Sequence, residues 1–164
     1  MRRSARRFAS KTSVPVYRSR AQIEELLDQH GADPRQTSES RERGEAVVTF
    51  RLHDRIVRFR MPLPQVDAFT TRKLRGRTVP ASAEQQRTAY ERACRESWRA
   101  LHAALKAKFI SLEGGIETFE QAFLAHVVTA DGRTVGEHVL PALEASYRTG
   151  KVQPLLLPGE APKP

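Results

Sequence analysis

The chain has a single cysteine, Cys94, and aromatic residues make up only 7% of its 164 positions. One thiol excludes an internal disulfide framework and suits a reducing compartment. No stretch of about eighteen apolar residues occurs, so no membrane-spanning helix is expected. The basic N-terminus lacks an apolar segment behind it, so a secretory signal is not expected, while an organelle transit peptide stays open. No internal repeat or low-complexity block is present. Acidic residues are missing altogether from positions 1–20.

What is present is positive charge, and its placement is uneven. The net charge is +9. Arg2, Arg3, Arg6, Arg7, Lys11, Arg18 and Arg20 crowd the first twenty residues. Arg72, Lys73, Arg75 and Arg77 face only Asp67 between positions 65 and 80. Residues 114–150 are mildly acidic, with Glu117, Glu120, Asp131, Glu137 and Glu144 against Arg133 and Arg148. Such a layout attracts polyanions or anionic membrane surfaces through its long-range field. A solubilising tail is the plainer alternative.

The pattern of apolar residues predicts an α+β fold. A basic arm is expected to be disordered over residues 1–12. One domain follows over 13–150, and a Pro-rich tail over 151–164. In the domain's first part, 13–64, Val14, Val16 and Tyr17 suggest a short strand. Ser19 and Gln22 then stand at capping-box spacing for a helix. Ile23, Leu26, Leu27 and His30 make its apolar stripe, and Gly31 ends it. Residues 33–45 read as a loop or weak edge strand.

Ala46–Leu52 and Arg55–Met61 read as a β-hairpin turning at His53-Asp54. A two-residue turn pairs Leu52 with Arg55, Phe50 with Val57, Val48 with Phe59 and Ala46 with Met61. That register gathers Val48, Phe50, Val57, Phe59 and Met61 on one face. Val47, Thr49, Arg51, Ile56, Arg58 and Arg60 take the other. The apolar face is expected to pack against Ile23, Leu26, Leu27 and Trp98.

Pro62 and Pro64 stop the second strand. Residues 65–82 read as a basic linker, and 83–150 as a helical part. Its long helix, about 83–113, carries the stripe Tyr90, Cys94, Trp98, Leu101, Leu105, Phe109 and Leu112. Glu91 and Arg95 are placed for an ion pair on its outer side. Gly114-Gly115 breaks it. Thr118 opens the next helix with Phe119, Phe123, Leu124 and Val127 as its apolar surface. Asp131-Gly132 marks a turn, and Thr134 with Glu137 repeats the capping spacing. Val135, Val139, Leu140, Leu143 and Tyr147 mark a last helix up to Gly150. Pro141 inside it predicts a kink or a late start. Leu155, Leu156 and Leu157 either dock on the body or meet a partner.

No catalytic or metal motif emerges, and no cofactor is expected. The five histidines show no ligand pair at helical or turn spacing. His126 and His138 flank one turn, and with Glu137 nearby they define the single conceivable acid–base or metal pair; the competing reading is two histidines that merely hydrogen-bond. Cys94, on an apolar stripe without a base beside it, reads as core. The glycines form no phosphate cradle.

The arginine face of the hairpin is the most suggestive feature. Arg51, Arg58 and Arg60 are expected to project together with the arm residues Arg2, Arg3, Arg6 and Arg7. With Arg72, Lys73, Arg75 and Arg77 they make a candidate surface for a phosphate backbone, DNA or RNA, bound without sequence preference. The competing reading is an ordinary solvated strand face.

From Ser10 to Pro158 the chain resembles small uncharacterised proteins encoded by bacteriophages and prophages. The resemblance is carried by Ser19-Arg20-Ala21-Gln22-Ile23-Glu24, Val57-Arg58-Phe59, Pro62-Leu63-Pro64 and Trp98-Arg99-Ala100-Leu101. Lys106-Ala107-Lys108, Ile116 to His126 and Asp131-Gly132-Arg133-Thr134-Val135-Gly136-Glu137 extend it. Many of the relatives show Asn-Gly where this chain has His53-Asp54. The resemblance implies a phage setting in the cytoplasm of a bacterial host, and no mechanism or functional residues. Two functions follow as expectations: a non-enzymatic accessory protein that binds nucleic acid, or a factor that binds a host or phage protein through its helical half. An enzyme using His126 and His138 is a third.

Overall fold

A computed structural model describes residues 8–9, 12–40 and 42–152. The arm residues Arg2, Arg3, Arg6 and Arg7 and the leucines at 155–157 lie outside them. Among the described residues the fold is α+β, with four α-helices and two antiparallel sheets.

Helix α1 spans Val16–Gln29. It starts four residues earlier than the Ser19 cap predicted, and the short strand at 14–17 does not form. Pro15 is the reason. Its fixed φ of −63° suits the residue entering a helix, and its carbonyl accepts the backbone N–H groups of Arg18 and Ser19. Ser19 therefore lies inside the first turn and is fully buried. Gln22 is freed from capping and accepts from the Arg99 guanidinium at 2.5 Å. His30 ends the stripe by stacking on Phe109 at 3.9 Å, with its ring nitrogens bonded to the Leu26 carbonyl and Glu113.

Strands β1 (Arg35–Ser40), β2 (Glu45–Leu52) and β3 (Arg55–Pro62) form one sheet with β2 in the centre. The edge-strand reading of 33–45 holds for β1. The β2–β3 register is the predicted one, with Phe50 opposite Val57 and Val48 opposite Phe59. At the turn both His53 (φ 47°) and Asp54 (φ 56°) are left-handed. Side chains other than glycine resist that conformation by about 1–2 kcal/mol each. Asp54→Gly is accordingly expected to raise stability by about 0.5–1 kcal/mol, read as a higher urea midpoint with an unchanged slope.

A short 3-10 turn, Val66–Phe69, leads into β4 (Thr71–Leu74) and β5 (Arg77–Pro80). The predicted linker is thus a two-stranded ribbon. Helix α2 covers Ala83–Glu113, opened by a Ser82–Gln85 capping box. Its buried residues are Trp98, Leu101, Leu105 and Phe109, all from its midpoint onward. The first half extends past the core. Glu91 pairs there with Arg87 rather than with Arg95, and Arg92 pairs with Glu96.

Helix α3 is Phe119–Phe123, followed by a 3-10 turn at Leu124–His126, and α4 is Val135–Thr149. Both helices open with the capping boxes expected, at Thr118–Gln121 and Thr134–Glu137. α4 starts at Val135 despite Pro141. The main core joins Ile23 and Leu27 to Val48, Phe50, Val57, Phe59 and Met61, with Trp98, Leu105, Phe109 and Phe123 closing it. Leu26 packs against its margin.

Two predicted core groups are not buried. Leu124 is exposed because the chain tightens into the 3-10 turn there. Leu140, Leu143 and Tyr147 are also exposed, since α4 rests on the fold by its first turns and no described element covers its outer stripe. At that junction the Gly136 Cα meets the 3-10 turn so closely that a Cβ would stand 2.8 Å from the Ala125 carbonyl oxygen. Gly136→Ala adds a better helix former yet is expected to destabilise by about 1–3 kcal/mol, measured by chemical unfolding, because a packed backbone must shift.

Candidate nucleic-acid interface

The β4–β5 ribbon is built by local rules. Leu74 and Arg77 close a two-residue turn in which Arg75 (φ 48°) and Gly76 (φ 81°) are both left-handed. That handedness matches the twist of a tight hairpin, and glycine supplies half of it without steric cost. At the base, Ala81 N–H donates to the Thr70 carbonyl at 2.8 Å, and the Gln86 side chain donates to the Ala81 carbonyl. Phe69 sets its ring edge-on against Tyr90 of α2, 6.4 Å between centroids. The ribbon is therefore anchored at its root, beside the half of α2 that outruns the core.

Beyond the root it is in solvent. Every strand residue is exposed except Val79, which is half-buried. Residues opposite one another share a face. Arg72, Leu74, Arg77 and Val79 lie on one face, Thr71, Lys73, Thr78 and Pro80 on the other, and Arg75 at the tip. The Lys73 ammonium donates to the Thr78 hydroxyl at 2.7 Å. Among the described residues no carboxylate forms an ion pair with any of these four cations. Positive charge is thus present on both faces and the end of a projecting element.

The arginine face of the larger sheet is divided. Arg58 is largely covered: its guanidinium donates to the Gly132 carbonyl at 2.6 Å and reaches Glu137 at 3.4 Å. Arg60 stands 3.7 Å from the same carboxylate. The cause is tertiary. Val128 N–H donates to the Ile56 carbonyl, and Val127 bridges Val57, so the segment before α4 lies along β3 and brings Glu137 to the two arginines. The Glu137 carboxyl is held below its ordinary range, first by the Thr134 N–H; burial opposes this, and Arg60 and then Arg58 add to the lowering. Arg51 instead donates to the Asp33 carbonyl at 3.3 Å and stays exposed. The three do not project as one set.

The two histidines of the conceivable site take different partners. His126 stacks on Phe59 at 3.9 Å. Burial, then Lys108, lowers its pKa, although a hydrogen bond with the Arg58 backbone opposes this. His138 bonds Thr129 and Asp131, each at 3.2 Å. Asp131 is pulled down to about 2 by the Thr129 hydroxyl and the Arg133 N–H, with His138 adding to both. His126 thus belongs to the junction with the sheet, and His138 to the loop before α4. Among the described residues no group of three His, Cys, Asp or Glu side chains is placed to hold a metal ion. Cys94 is a partly buried thiol outside any disulfide.

No helix among the described residues is long and apolar enough to cross a membrane. Fold and surface together define a small α+β protein with a projecting basic β-ribbon. The chain matches no protein-family model, no curated protein and no solved structure.

The ribbon is what the sequence reading missed. Thr-Arg-Lys-Leu-Arg-Gly-Arg-Thr-Val has no alternation of apolar and polar residues, because neither face meets a core. Its remaining signal is Arg75-Gly76, a turn-forming pair between two short runs containing Thr, Leu and Val.

Proposed function

We propose that this protein is a phage accessory factor that acts by binding nucleic acid, with the β4–β5 ribbon as its principal contact. The observation that carries the reading is the set Arg72, Lys73, Arg75 and Arg77, exposed and without ion-pair partners among the described residues on an element that serves no core. A cation already facing a carboxylate gives little to a phosphate, and four unopposed ones release condensed counterions when they bind. Arg51 and the arm residues Arg2, Arg3, Arg6 and Arg7 add to the same field. Contacts of this kind position a protein on the backbone and read no bases. The phage setting comes from the sequence resemblance alone.

The test is a salt titration of the full chain against labelled duplex DNA. Four ribbon contacts give a log–log slope of roughly −3.6, and participation of the arm steepens it. Negligible binding at about 50 mM salt, where electrostatic attachment is strong, overturns the reading.

One observation favours a second reading, a protein-binding factor. The outer stripe of α4 exposes Leu140 at 55%, Leu143 at 39% and Tyr147 at 85%. Residues spaced i, i+3 and i+7 are the anchors of a helix seated in an apolar groove of another protein. A partner that binds the wild-type chain and not Leu143→Asp, with ribbon variants unaffected, supports that reading.

A further inference from the structure

We infer that the nucleic acid is B-form duplex DNA and that the ribbon enters its major groove; this rests on the nucleic-acid reading above and names the ligand. Dimensions are the first argument. Two paired strands lie about 4.8 Å apart, and their side chains bring a ribbon to a width that the roughly 12 Å major groove of straight B-form DNA admits, whereas the roughly 6 Å minor groove must first be widened by bending the duplex. Four residues per strand, at about 3.4 Å each, give a reach of about 14 Å before the turn, more than the roughly 8.5 Å depth of the groove. The tip residue Arg75 then lies inside the groove, between its two phosphate walls.

The second argument is the distribution of side chains. A groove has a phosphate wall on each side. Arg72 and Arg77 leave one face of the ribbon and Lys73 the other, so both walls meet a cation. Leu74, 45% exposed and next to the tip, is an apolar side chain suited to thymine methyl groups, which only the major groove presents.

The third argument separates duplex from single strand. Proteins that hold single strands stack the bases on aromatic rings. No aromatic residue or histidine occurs from Thr70 to Ser82, and Phe69 is turned against Tyr90. Duplex RNA is disfavoured because the A-form major groove is deep and too narrow for side chains to read.

The experiment measures binding of the full chain by fluorescence anisotropy to one sequence as duplex DNA, single-stranded DNA and duplex RNA. Competition with methyl green, a major-groove ligand, and netropsin, a minor-groove ligand, runs alongside. Duplex DNA is expected to bind at least about tenfold more tightly than the other two, to be displaced by methyl green and to be indifferent to netropsin. Arg75→Ala is expected to weaken duplex binding on the order of tenfold, with an unchanged circular dichroism spectrum. Equal affinity for single strands, or displacement by netropsin alone, overturns this inference and leaves the nucleic-acid reading standing. Absence of binding to all three overturns both.

Discussion

Changing Arg72, Lys73, Arg75 and Arg77 together to Ala is expected to cut affinity for duplex DNA on the order of 10³-fold at about 0.1 M salt. The magnitude follows from counterion release. Each neutralised phosphate contributes about 0.9 to the log–log slope, hence nearly tenfold between about 0.1 M and 1 M salt. Four such contacts multiply. The changed residues are exposed and touch no core, so the unfolding midpoint is expected to stay put. The contrast is the triple change of Arg51, Arg58 and Arg60 to Ala. Two of these are already engaged by Glu137, so its effect on binding is expected to stay within about tenfold. Its larger effect is on stability, because Arg58→Ala also strips the Gly132 carbonyl of its donor. Filter binding or anisotropy on both variants decides the matter. A greater loss from the triple change would move the interface to the sheet.

The largest effect on stability is expected from Phe59→Ala, a loss of about 3–5 kcal/mol. Phe59 is 6% exposed at a junction of three elements. Its ring lies 6.4 Å from Phe50, edge-on to Phe123 at 6.2 Å, and stacked against His126 at 3.9 Å. Truncation leaves a cavity between the sheet, α3 and the following 3-10 turn. These partners are held by capping boxes and backbone pairing, so they collapse into the space only in part. The same cavity frees His126 from its stacking contact. Urea unfolding of the two proteins at neutral pH measures the difference, and a change below about 1 kcal/mol would mean that the sheet–α3 junction carries little of the stability.

Elements with an apolar face were legible. The β2–β3 register followed from alternation and a two-residue turn, because a slip by one residue would send Val48, Phe50, Val57 and Phe59 to the solvent side. The span of α2 followed from a stripe every three or four residues between Ser82 and Gly114. Both capping boxes in the second half were visible as Thr three residues before Gln or Glu. Elements without such a face were hidden. α1 begins where Pro15 permits rather than where Ser19 invites, and two capping signals in competition cannot be ranked from spacing alone. The ribbon buries nothing, so it imprints no hydrophobic period on residues 71–80.

Charge divides the same way. The sequence by itself determined how many arginines line β2 and β3 and which face they share, since strand alternation is a local property. Only the tertiary structure decided which of them remain unopposed. Glu137 lies more than seventy positions from Arg60 in the chain, and the pairing of Val127 and Val128 with β3 is what brings it there. Coulomb attraction depends on separation in space, and sequence distance does not encode that across a fold. The exposure of Leu140, Leu143 and Tyr147 is of the same kind. Their spacing determined an apolar stripe, and the placement of α4 at the edge of the body decided that no described element covers it.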